Sequence, residues 1–178
     1  MIKVTEDIQL KEVLNSDSKA LFTLMSEIYP LAYSHFWTDK GDWYVNTFYG
    51  KENILKELSE ENSDNYFIFL KKKIIGNFRI IWDDKLDGLR QEKQVKLHRL
   101  YLHQETQGKG IGKKLLAWLE MKAKQKSYEI IWLDAMNEQS QAFQFYKKLG
   151  YKYQSHILLP FNLLHDEVRK MSQVYKEI

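Results

Sequence analysis

Three glycines within five residues carry the most explicit chemistry of the chain: Gln107-Gly108-Lys109-Gly110-Ile111-Gly112, set between a β-rich run and a helical repeat. At a helix N-terminus the first amides lack intrahelical acceptors and carry partial positive charge. Glycines let a phosphate approach such amides closely. The run therefore suits a pyrophosphate cradle, with a tight strand-to-helix turn as the plainer reading. A P-loop is excluded, because Gln107 stands where its first glycine is required and Lys114 where Ser or Thr must follow Lys113. A dinucleotide fingerprint is excluded too, since the spacing is G-x-G-x-G instead of G-x-G-x-x-G. The absence of cysteine removes disulfides, thiolate metal sites and any acyl-cysteine route.

The elements around the run follow from periodicity. Val95–Leu102 reads as the strand leading into it. Ile111, Leu115, Trp118 and Leu119 fall on one face of the helix leading out. Ile130-Ile131-Trp132-Leu133 is a short apolar strand buried on both faces. Strand, helix, strand in that order makes a right-handed crossover with the two strands parallel. Upstream, Tyr66–Leu70 and Lys73–Ile81 form a hairpin turning at Lys71-Lys72. The N-terminal third reads as one short strand followed by helices, the first capped by Asn15-Ser16-Asp17 and ending near Pro30. Downstream come a helix through Ala142, Phe145, Tyr146 and Leu149, closed by Gly150, and strands at Tyr153–Leu159 and Arg169–Tyr175. The expected class is α+β, an α/β sandwich with a mixed, mostly antiparallel twisted sheet.

The chain's 178 residues, 44% hydrophobic, suffice for one domain with a real core. No apolar run approaches the roughly 20 residues of a membrane span. The opening Met1-Ile2-Lys3-Val4-Thr5-Glu6-Asp7 lacks an apolar signal core, so a cytoplasmic location is the expectation. A net charge of +3 is too balanced to require nucleic acid as partner. The basic excess gathers at Lys109, Lys113, Lys114, Lys122, Lys124 and Lys126, either a solvated helix face or a counter-charge for a phosphorylated ligand.

Gln107, Gly110 and Gly112 match the Q/R-x-x-G-x-G/A motif of the GCN5-related N-acetyltransferases, and Ala142–Tyr151 resembles that family's A-x-x-F-Y-x-K-x-G-F segment. The resemblance is clear over residues 66–153. It implies one N-acetyltransferase domain over 1–178, with acetyl-CoA as co-substrate and no metal. It further implies that Gly108, Lys109, Gly110, Ile111, Gly112 and Lys113 hold the pyrophosphate. Leu100 and Leu102 would pair through their backbone with the pantetheine arm, between two splayed parallel strands. Tyr146 matches the motif tyrosine and becomes the candidate acid for the leaving thiolate. The glutamate usual three residues before the strand arginine is Lys96 here, which leaves His98 as the nearest side chain for a base. Gln139 stands where an asparagine often contacts pantetheine, with Asn137 two residues away.

Acceptor pockets of this family draw on the N-terminal helices. That points to His35, Trp37, Asp39 and Asp42, with Tyr33, Trp43 and Trp82, for capture of a cationic amine by charge pairing and cation–π contact. The implied reaction is direct acetyl transfer to a primary amine of a small molecule, polyamines included. A non-catalytic acyl-CoA-binding module and a protein N-acetyltransferase stay open as alternatives, and a homodimer is compatible with the sequence.

Overall fold

A computed structural model describes residues 1–178. Eight strands form one sheet: β1 (Ile2–Lys3), β2 (Ile8–Glu12), β3 (Ser63–Leu70), β4 (Lys73–Trp82), β5 (Gln94–Leu102), β6 (Ile130–Met136), β7 (Lys152–Leu158) and β8 (Lys170–Glu177). The helices are α1 (Ser18–Tyr33), α2 (Asp42–Tyr49), α3 (Lys51–Leu58), α4 (Ile111–Gln125) and α5 (Ser140–Lys148). Strand order is β1-β2-β3-β4-β5-β6-β8-β7, and every neighbouring pair is antiparallel except β5–β6. The expected mixed sheet is therefore present, with its single parallel pair at the expected crossover.

The two faces of the sheet carry different layers because successive side chains alternate. Ile68, Phe78, Ile80, Leu97, Ile131 and Leu133 pack with Leu115, Leu116 and Leu119 of α4. Phe67, one residue from Ile68, packs with Leu21, Met25 and Ile28 of α1 and Val45 and Tyr49 of α2. Thus α4 and α5 cover one face and α1–α3 the other.

Several local expectations shift. The opening is a two-strand antiparallel pair, Ile2 opposite Leu10, where the sequence predicts one strand. Helix α1 runs through Pro30 to Tyr33. Proline removes only its own amide, Ser34 N still donates to Pro30 O (Ser34 caps the helix), and Tyr29 stacks on Tyr33 at 4.9 Å across the supposed end. The Asn15–Asp17 segment is a separate 3-10 turn whose last residue, Asp17, takes the N-cap position of α1, while its side chain accepts from the Leu14 amide at 3.1 Å and makes no capping bond to the helix. The Lys71-Lys72 hairpin stands, both residues at positive φ (47° and 72°) as a tight β-turn of that hand requires.

Candidate active site

The head of α4 is built as a row of unused donors. Backbone bonding resumes with Lys114 N, which donates to Gly110 O at 3.2 Å. The amides of Gly108, Gly110, Ile111, Gly112 and Lys113 have no backbone acceptor. Gly108 and Gly110 hold φ of 75° and 70°, and a Cβ on either would meet nothing within 4 Å. The turn is thus bare on the side where an anion must approach, which fits a diphosphate. Gly112 serves another purpose: a Cβ there would lie 3.3 Å from the Phe145 ring, so this glycine lets α5 close on α4.

Beside the cradle the sheet opens. β5 and β6 are paired only from Gln94–Lys96 against Ile130–Trp132. Beyond Lys96, β5 keeps β4 on one edge, with Phe78 opposite Leu100 and Gly76 opposite Leu102, while β6 keeps β8. The inner edge of β5 at Leu100 and Leu102 is therefore a free strand edge inside a wedge, ready for an extended ligand arm. A register shift between Arg79 and Ile80 leaves His98 as the extra residue of a β-bulge at the start of that wedge.

On the face covered by α1 and α2, a cavity of about 240 Å³ reaches the wedge. Its walls include Tyr29, Tyr33, Trp37, Tyr44, Tyr101 and Phe161, with His98, Arg99 and Asp134 as the polar lining. Tyr29 and Tyr44 stack at 4.3 Å, and Trp37 Nε1 donates to Tyr29 Oη at 3.0 Å. Beneath the floor lies a closed ion network. Arg99 donates to both Glu57 oxygens at 2.6 and 2.8 Å, and Arg79 meets Glu57 at 3.5 Å and also pairs with Glu60. Both arginines are buried.

The profile of the acetyltransferase (GNAT) family matches residues 21–151. The chain belongs to the GNAT family. It is 24% identical over 104 residues to an uncharacterized N-acetyltransferase of Lactobacillus delbrueckii subsp. lactis, covering 58% of this chain and 60% of that protein. It is 28% identical over 90 residues to the uncharacterized N-acetyltransferase YesJ of Bacillus subtilis, covering 51% and 48%. The chain thus spans about half to three-fifths of those relatives' length. Among solved structures it is similar to a PaiA N-acetyltransferase of Thermoplasma acidophilum in complex with coenzyme A (TM-score 0.73, 22% identity, 96% of this chain and 99% of that one). It is also similar to a spermidine N-acetyltransferase of Vibrio cholerae in complex with CoA and spermine (TM-score 0.67, 15% identity, 97% and 96%). At these identities the two structures speak for the fold.

Within the GNAT frame the residues singled out from sequence take different places. Gln107 through Lys113 and the Leu100–Leu102 edge lie together around the wedge. Of the six clustered lysines, Lys109, Lys113 and Lys114 stand at the cradle, while Lys122, Lys124 and Lys126 sit at the far end of a helix about 22 Å long, where cations suit the dipole. Asn137 accepts from Ser172 Oγ at 2.7 Å, and Gln139 donates to Ala32 O at 3.1 Å, so both are tied into the scaffold. Tyr146 lies on α5 with its ring 5.5 Å from that of Tyr151. Burial, then the neighbouring Tyr33, hold the Tyr146 hydroxyl's ionisation above the usual phenol range, so it keeps its proton.

His98 lines the cavity, but not in the state a base needs. Its Nδ1 lies 2.7 Å from Arg79 Nη1, and arginine can only donate. Nδ1 is therefore the acceptor and Nε2 carries the proton. Burial, with Arg99, Arg79 and Lys96 nearby, pushes its ionisation down to about 2. The expectation that His98 abstracts the amine proton gives way to that of a neutral imidazole donating through Nε2.

Of the residues read as acceptor-binding, Trp37 lines the cavity, and so does Tyr33. Asp39 does not: its two oxygens accept from Gly41 N at 3.0 Å and Trp43 N at 2.6 Å, starting α2. Asp42 and His35 are exposed, His35 lying on Phe36 at 4.2 Å between ring centres. The carboxylate that does line the cavity is Asp134, which the sequence reading passed over. Its signal was present, as a charged residue directly after the apolar run Ile130–Leu133. Arg99 gave a similar signal inside the strand Val95–Leu102.

Proposed function

We propose that this protein is an acetyl-CoA-dependent N-acetyltransferase acting on a primary amine of a small molecule. The observation that carries this is the row of five acceptor-free amides, opened by two left-handed glycines, beside a strand edge that ends in an aromatic cavity. The amides of Gly108 and of residues 110–113, with the lysines at 109 and 113, would hold the diphosphate, and the Leu100–Leu102 edge the pantetheine arm. Acetyl-CoA, when bound, supplies the activated acyl carbon. The amine reaches the wedge from the cavity and loses its ammonium proton to solvent; its nitrogen then bonds to that carbon and releases a second proton to solvent as the carbon–sulfur bond breaks. Tyr146 gives its Oη proton to the departing sulfur and recovers one from solvent. With no cysteine in the chain an acyl-cysteine intermediate is excluded, and direct transfer is the simplest route. A cavity of about 240 Å³ lies below the roughly 300–1,000 Å³ of drug-sized ligand sites, which favours a small acceptor.

The test is a panel of amines with acetyl-CoA, reading free thiol. Amine-dependent thiol release is expected. Tight acetyl-CoA binding without turnover on any amine would favour a non-catalytic acyl-CoA-binding module.

A further inference from the structure

The charges around the cavity count the cations that it can hold, an inference that rests on the transferase reading above. Lys96 Nζ lies 2.8 Å from Asp134 Oδ2 and 4.0 Å from Asp84 Oδ2, so one ammonium is shared by two carboxylates. The other Asp134 oxygen accepts from Gln173 Nε2 at 3.1 Å, a neutral donor. This cluster keeps one negative charge in excess. The second charged group at the cavity is self-balanced: Arg79 and Arg99 against Glu57 and Glu60, with His98 uncharged between them. The remaining walls are aromatic or aliphatic. Asp134 is thus the one carboxylate on a wall that is aromatic or aliphatic apart from His98 and Arg99, and the charges on and directly behind that wall sum to minus one.

We infer that the acceptor is a primary monoamine carried on an aromatic or alkyl body, and that Asp134 receives its ammonium group. The stacked tyrosines and Trp37 present ring faces and edges that suit an aromatic body. A polyamine brings further ammonium groups, and these would lie among tyrosine rings or against Arg99 without a free carboxylate. Burying a cation without a partner is costly enough to select against such a substrate. Asp134 is also the side chain best placed to orient the nitrogen, since its strand forms the second wall of the wedge.

The experiment compares 2-phenylethylamine, hexylamine, spermidine and an N-terminally free tripeptide by thiol release with wild-type protein. The expected kcat/KM for 2-phenylethylamine is at least tenfold above that for spermidine and for the tripeptide. Asp134→Asn should raise its KM at least tenfold while the KM for acetyl-CoA stays within twofold. Equal or better turnover of spermidine overturns the inference, as does preference for the tripeptide. The wild-type panel decides even if Asp134→Asn fails to fold. If no amine releases thiol, the transferase reading fails, and amine titration against tryptophan fluorescence decides the monoamine inference alone. It then stands if 2-phenylethylamine saturates the signal and spermidine does not, and falls if spermidine binds as tightly.

Discussion

Removing the charge of Glu57 tests how the aromatic cavity beside the wedge is held together. Its side chain is 10% exposed and those of Arg79 and Arg99 are 3% exposed, so the pair is deep enough that solvent cannot replace a lost partner. Glu57→Gln leaves Arg99 without a carboxylate partner and Arg79 with Glu60 alone, a carboxylate that is 37% exposed. Breaking a buried ion pair from one side costs about 3–5 kcal/mol. For a chain of this length each kcal/mol moves the melting temperature by about 2–4 °C, so the drop should be about 6–20 °C. Urea unfolding of Glu57→Gln, Arg99→Met and the double variant supplies the cycle. The double variant should lose less than the sum of the singles, by about 2 kcal/mol, as contacting partners do. A Glu57→Gln loss below about 1 kcal/mol, or strict additivity, would refute the view that this network is one unit.

The state of His98 predicts a pH dependence. Its ionisation falls from 6.5 in the free residue to about 2 in the folded protein, chiefly through burial, so the unfolded chain takes up the proton first on acidification. The stabilisation is complete above the free value and is lost as pH falls from there toward the folded value. Between about pH 7.5 and about pH 5.5 the protein should lose about 1.4 kcal/mol through this one group. Urea titrations at both pH values check it, and His98→Gln should remove that part of the slope; an unchanged slope would assign it elsewhere. Tyr146→Phe keeps the ring and deletes the proton donor, so turnover should fall by about tenfold or more with acetyl-CoA affinity nearly unchanged. Single-turnover rates separate this from a change in product release, and an unaltered chemical rate would remove Tyr146 from the mechanism.

What could be read from sequence was what is local. The glycine run works through backbone geometry of consecutive residues, so its spacing alone pointed to the head of α4. The parallel pair followed from the order of strand, helix and strand. Beyond Tyr33 and Trp37 the aromatic cavity was not legible, because Tyr29, Tyr44, Tyr101, Asp134 and Phe161 come from five separate segments that only the folded sheet brings together. Asp39 looked like a ligand-binding carboxylate beside aromatics, but a carboxylate shortly before a helix also satisfies the first amides, and here that use prevails. His98 was read through its ordinary acidity, which is a property of the side chain in water. Arg79 sits 19 residues earlier in the chain and sets the tautomer through a contact invisible to any local pattern.

The central claim, that the head of α4 is a diphosphate cradle for acetyl-CoA, is tested most directly by titration calorimetry on Gly110→Asp, with Gly110→Asn as the neutral comparator. Position 110 is left-handed, a conformation that Asp and Asn tolerate better than other side chains, and its missing Cβ faces open space. Both variants should therefore fold, and they differ in one charge. We predict that the Asp variant binds acetyl-CoA at least about tenfold more weakly than the Asn variant, a difference of about 1.4 kcal/mol. Equal affinity in the two variants and the parent would contradict the account.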